Sequence, residues 1–156
     1  MGRNKNALRG HFIQAYERGE NEPGEEWLEL ADWITDISDD TQEGTEEVAY
    51  YSGDGTPENE VVSVALAYNV EGTYDSEDPA MALVEGLRLK TGIGRKVWHK
   101  VETADGKKAY TGVATVSAIV AGSGAASDYE AFSCNIRFDR IPEETELDNG
   151  DGGSGE

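Results

Sequence analysis

The sequence predicts a mainly β fold with one α-helix packed on its strands. Three observations predict it. Long segments alternate apolar and polar residues at period two, one segment opens with helix-start chemistry, and 156 residues suffice for one core but not two.

Val61 to Tyr74 is the clearest case: Val62, Val64, Leu66, Tyr68, Val70 and Tyr74 alternate with small or polar residues. That pattern predicts one long strand whose apolar face is core. Asp78-Pro79 then gives an N-cap and first helical residue, with Met81, Val84 and Leu87 on one side of a helix of about three turns closed by Gly92. Strands resume with Val97, His99 and Val101, turn at Asp105-Gly106, and continue from Tyr110 to Ala121. Asp-Gly is a hairpin signal because both central positions of a type I′ turn need positive φ. The last strand alternates Phe132, Cys134, Ile136 and Phe138 inward. Cys134, the one cysteine, reads as a small buried hydrophobe, and His99 as a structural histidine with its polar atoms satisfied.

Two segments resist periodicity. Trp27 to Ile37 fits a helix or a strand about equally. Ser38 to Glu60 is rich in acid, glycine and turn residues and reads as a long loop, either functional or disordered. Within it Val48, Tyr50 and Tyr51 adjoin the Gly53-Asp54-Gly55 turn, an aromatic island that either folds back on its own domain or anchors the loop on a neighbouring subunit.

Charge is unevenly placed. The net charge is -19, yet residues 1–16 carry +3, residues 17–60 carry -15, residues 61–142 only -1, and 143–156 the remaining -6. Such acidity opposes any grip on phosphate backbones. The expected organisation is a basic arm over 1–24 with Arg3, Lys5 and Arg9, a β domain over 25–142 carrying the loop 38–60, and an acidic, flexible tail over 143–156. No apolar run approaches a membrane span and no signal-peptide core follows the first bases, so the chain is expected to remain in the cytoplasm that makes it.

Chemistry finds no foothold. His11 and His99 lie far from any nucleophile motif, Gly92-Ile93-Gly94 and Gly122-Ser123-Gly124 are fragments of a dinucleotide fingerprint in the wrong context, and no phosphate loop or Cys/His cluster is present. The expectation is no enzyme, no metal and no cofactor.

The order of features nevertheless resembles one family. Trp27-Leu28 and Trp33-Ile34, the loop with YYSGDGTPE, the strand VVSVALAYNVEGTYD, the helix start SEDPAMALV, the hairpin GRKVWHKVETADGKKAYTGVATV and the strand FSCNIRFDRIPEE are together similar to bacteriophage tail-tube (major tail) proteins, of the long non-contractile type. The likeness covers roughly residues 25–143. It implies a β-sandwich or half-barrel of antiparallel strands flanked by one α-helix, with Glu26 to Ile37 as a strand, and subunits that form stacked hexameric rings around a tape-measure protein, within a virion tail built in the host cytoplasm. The long loop and terminal arms would join rings, with Val48, Tyr50, Tyr51, Gly53, Asp54, Gly55, Arg3, Lys5 and Arg9 as contact candidates and the basic arm facing the acidic loop. DNA would pass through without specific binding, past a lining for which Glu71 and Glu102 are candidates. The competing expectations are a β-sandwich module that binds carbohydrate through Trp27, Trp33 and Trp98, or another phage assembly protein such as a tail terminator or head decoration protein.

Overall fold

A computed structural model of the protein describes Lys5 and residues 9–147. Among these residues the alternating segments become β1 (Gly10–Ala15), β2 (Leu28–Glu29), β3 (Ile34–Asp39), β4 (Gln42–Val48), β5 (Glu58–Ala65), β6 (Ala67–Thr73), β7 (Lys96–Glu102), β8 (Lys108–Ala121), β9 (Ala131–Phe138) and β10 (Glu143–Glu146), with one α-helix, α1 (Pro79–Gly86). Eight strands form one antiparallel sheet in the order β2-β1-β7-β8-β9-β6-β3, with β10 on the lower half of β8. The edge strands β2 and β3 are joined by only Leu30 to Trp33, a span of at most about 18 Å even fully extended, so the sheet must curl until its edges approach. The result is the expected mainly β fold, an antiparallel half-barrel with one helix.

Cross-strand partners share a face. The concave face collects Ile13, Val97, Val101, Ala114, Val116, Phe132, Cys134, Ile136, Phe138, Tyr68 and Val70, all buried. Met81, Val84 and Leu87 of the helical segment close this core. Each fully buried large side chain, such as Phe132 or Ile136, stabilises the fold by roughly 1.5–3 kcal/mol. Cys134 is buried as expected, and desolvation pushes its thiol up to about 12. His99 is wholly buried, but only partly satisfied: its Nε2 lies 3.5 Å from His11 Nδ1, while His99 Nδ1 and His11 Nε2 have no partner. Both rings pack on Tyr68, and His99 stacks on Phe138. Burial therefore holds the pair neutral, lowering His11 to about 4 and His99 to about 3.

Several boundaries differ from expectation. The long strand from Val61 breaks at Leu66 into β5 and β6, which belong to different sheets, so Tyr68 and Val70 are core while Val62 and Val64 are not. Glu26 to Ile37 is two short strands on opposite edges rather than one, because Trp33 takes a left-handed φ of 64° and turns the chain. Residues 10–15, assigned to the arm, form an interior strand of the sheet, since His11 and Ile13 alternate inward and are buried there. The loop 38–60 is largely the hairpin β4–β5, and Glu143–Glu146 of the tail pairs with β8. Residues 148–156 lie outside the described residues.

The helix is two turns rather than three: Asp78 caps it by accepting from the Met81 N–H at 3.0 Å, but it ends at Gly86, and Gly92–Arg95 forms a separate 3₁₀ turn. At Asp105-Gly106 only Gly106 has positive φ (75°); Gly106 N–H donates to Thr103 O at 2.9 Å. The connection is a type I turn followed by a left-handed glycine, not type I′.

Residues 16–27 fold back across the convex side of β1 and β7. Gln14 fixes them through three hydrogen bonds, donating to Gly24 O (3.2 Å) and Glu26 O (3.3 Å) and accepting from Gly24 N–H (2.6 Å). Trp98 is buried beneath this segment and donates to Glu20.

Candidate inter-subunit surface

The β4–β5 hairpin is an arm. Its strands pair with each other and with no strand of the main sheet. Its root is held firmly: Phe138 N–H donates to Leu66 O (2.9 Å), Asp40 N–H to Ala67 O (2.8 Å), and the Asn135 amide to both Asp40 (3.0 Å) and Asn69 (2.8 Å). Beyond the root, among the described residues, both strands stay largely exposed.

The arm has two unlike sides. Gly44 pairs with Ser63 and Thr45 with Val61, so Val62 is an extra residue, a β-bulge that turns Val61, Val62 and Val64 toward one side with Glu43 and Glu47. Gly44 permits this close approach, since its N–H donates to Ser63 Oγ at 3.1 Å and a Cβ would collide with that hydroxyl. The three valines are 57%, 56% and 37% exposed. The other side carries Glu46 opposite Glu60, with Glu58 beside them, like charges that only water or a partner relieves. From Asp39 to Glu60 there are eight carboxylates and no base.

The predicted anchors Val48, Tyr50, Tyr51, Gly53, Asp54 and Gly55 gather at the arm's tip. Tyr50 OH donates to Glu60 at 2.8 Å, a bond to a carboxylate that raises the phenol's pKa. Gly53 N–H donates to Tyr50 O at 3.1 Å, and Asp54 accepts from Thr56 N–H at 3.0 Å; the Thr56 side chain first and its backbone second lower the Asp54 carboxyl below its ordinary pKa. Gly55 takes a φ of 88° that a side chain would oppose. Tyr51 is fully exposed. The valines of the bulge were missed in the sequence because their alternation continued into a genuine core strand. The adjacent pair Val61-Val62, which violates period two, was the available signal.

The other candidates scatter. Lys5 and Arg9 are exposed, Arg9 beside a cleft of about 370 Å³ at the seam between the sheet edges, and Arg3 lies outside the described residues. Glu71 and Glu102 both lie on the convex face but toward opposite ends of it, because β6 carries Glu71 and β7 carries Glu102 in opposite directions away from the shared row Ala67, Arg137, Thr115 and Lys96. Glu71 is exposed; Glu102 sits 3.5 Å from Lys100. Around Glu71 the face is uncovered and built of Asn69, Thr115, Ser117, Ser133 and Asn135. The three tryptophans form no platform: Trp98 is buried, Trp27 lies against Lys100, and Trp33 donates to Asp75 at the far edge.

Among the described residues no group of His, Cys, Asp or Glu is arranged to hold a metal, and no helix is long and apolar enough to cross a membrane. No family model matches the chain and no curated protein matches it in sequence. Solved structures do match in fold. A chain from the tail of an empty GTA particle, refined with helical C6 symmetry, superposes with a TM-score of 0.61 at 13% identity, covering 92% of this chain and 98% of that one. A chain of the sheath-tube complex of an extracellular contractile injection system, PVC in the extended state, gives 0.50 at 10% identity, covering 88% of each. The protein has a tail-tube-like fold.

Proposed function

We propose that the protein is a structural subunit of a phage-like tail tube that assembles with copies of itself into stacked hexameric rings. The observation that carries this reading is the likeness along nearly its whole length to a chain from a C6-symmetric tail. The arm supports it independently, because exposed valines and tyrosines on a firmly rooted hairpin gain most by burial against a neighbour. The arm's tip residues and the basic N-terminal residues Arg3, Lys5 and Arg9 are the proposed contacts between rings, with a tape-measure protein and other tail proteins as partners. The protein acts in the virion tail after assembly in the host cytoplasm, and catalyses nothing.

The conduit reading is carried by charge. Six copies multiply a net charge of -19, and a negative, Ser/Thr/Asn-lined passage repels phosphates so that DNA slides. Glu71, on the uncovered convex face, is a better lining candidate than Glu102, which Lys100 neutralises. Negative-stain microscopy of concentrated protein tests the whole: tubes with sixfold end views are expected, and isolated monomers at all concentrations would refute it. Glu71→Lys should leave tubes intact and slow genome delivery; unimpaired delivery removes the lining role.

A further inference from the structure

The arm needs a receiving surface, and the fold presents one. A row of paired residues, Ala67, Arg137, Thr115 and Lys96, crosses the sheet from β6 to β7. The arm reaches this row along the strands from one direction, as the run into β6. Residues 88–95 reach it from the opposite direction, as the run into β7, with Arg95 donating to Val116 O at 3.1 Å, one step past Thr115 on β8. The arm and the 88–95 corner thus leave the same row toward opposite ends of the molecule, as a head-to-tail contact requires.

The chemistry of the corner complements the arm. Leu89 is 93% exposed and Ile93 39%, two apolar side chains that reach solvent. Arg95 spends its guanidinium on the carbonyls of Lys90, Arg88 and Val116, which makes the corner rigid. Lys96, Lys100 and Lys108 are engaged with Asp139, Glu102 and Glu144. Arg88 and Lys90 have no ion pair among the described residues and flank Leu89 directly. Lys107 and Arg140, also outside those pairs, lie toward the arm's own end of the sheet, in the β7–β8 turn and beyond β9.

We propose that the arm of one copy docks, through its Val61-Val62-Val64 side, on the Arg88–Arg95 corner of a second copy, with Leu89 and Ile93 covering the valines and Arg88 and Lys90 meeting Glu43 and Glu47. The inference rests on self-assembly as proposed above, but names a different receiver from the N-terminal bases. Opposite charge rims around an apolar centre steer the approach and fix the register, while valine burial supplies the adhesion.

Zero-length carbodiimide cross-linking of a mixture of isotopically light and heavy full-length protein, read by mass spectrometry alongside microscopy, tests it. The expected result is tubes together with mixed-isotope links from Lys90 to Glu43 or Glu47. Tubes whose arm carboxylates link to Lys5, Lys107 or Lys108 and never to Lys90 overturn the docking and leave the tail-tube reading standing. Lys90 links without tubes keep the docking and refute the tail tube; neither links nor tubes refutes both. Arg88→Glu with Lys90→Glu should raise the protein concentration needed for assembly at least about tenfold with circular dichroism unchanged, and adding Glu43→Lys with Glu47→Lys should restore it. Lys107→Glu should leave it unaltered, and equal loss in that variant would make the effect one of net charge and overturn the assignment.

Discussion

Val70 and Val62 stand eight residues apart in one alternating segment, yet Val70 is 1% exposed and Val62 56%. The difference is what lies on either side. Val70 pairs with Cys134 and Ile37 in a sheet whose concave face is filled. Val62 bulges from a two-stranded hairpin, an arrangement marginal on its own in water and sustained here by its bonded root. Alternation therefore shows that a segment is a strand, and not whether the fold or another molecule covers it.

The widest separation between the two regions should appear on truncation. Phe138→Ala is expected to cost about 3–5 kcal/mol, because it empties a packed site beside His99 and Ile136. Val62→Ala in dilute, unassembled protein should change stability by no more than about 0.5 kcal/mol. Urea unfolding curves compare them directly, and a similar cost for both would mean that the arm folds against its own domain.

Acid should separate them next. Neutral His11 and His99 are stable occupants of the core, but the unfolded chain binds protons on both below about pH 6.5. The unfolded state therefore takes up more protons than the folded one from about 6.5 down to the native values near 4 and 3, and stability falls as pH falls through that window. At pH 5 the loss is on the order of 2 kcal/mol for each histidine. His99→Phe should flatten the dependence of the urea midpoint between pH 6.5 and 4; an unchanged slope would place its source elsewhere. The arm has no histidine, so none of this histidine-linked loss originates there.

What the sequence disclosed follows the same division. Strands β7, β8 and β9, the cap at Asp78 and the turn near Gly106 were legible because local chemistry and tertiary packing agree there. The break at Leu66 was not, since hydrophobic alternation runs through it unchanged. Strand β1 was hidden in six residues with basic neighbours, although His11, Ile13 and Ala15 already had the right period. The tip residues of the candidate surface could be named from turn and aromatic chemistry. The receiving corner could not, because only the register of four strands places Arg88–Arg95 opposite the arm.

A subtler backbone contrast lies where the chain turns into the edge strand β3, at the end away from the arm. Trp33 holds a left-handed φ of 64°, and its carbonyl lies so close to Gly72 that any side chain there would overlap it. Gly72→Ala is expected to cost about 1–3 kcal/mol by forcing β3 from β6. Gly44→Ala, in the arm, meets only the Ser63 hydroxyl, which can rotate, so its cost should be smaller. Reversal of that order in urea unfolding would show the bulge to be the more rigid of the two.

The smallest change is expected at the arm's tip, and it tests whether that tip is ordered before assembly. Tyr50 donates its hydroxyl to Glu60, and the neighbouring negative charge disfavours the phenolate, so the Tyr50 pKa stands above its ordinary value. Glu60→Ala removes both the acceptor and the charge, and also relieves the opposition of Glu46 and Glu60 across the hairpin. Tyr50 should then titrate at lower pH, read from its ring resonances by nuclear magnetic resonance in dilute protein, with no measurable movement of the urea midpoint. An identical titration in wild type and variant would mean that the hydrogen bond does not persist in the free subunit, and that the tip takes its shape from the surface it meets.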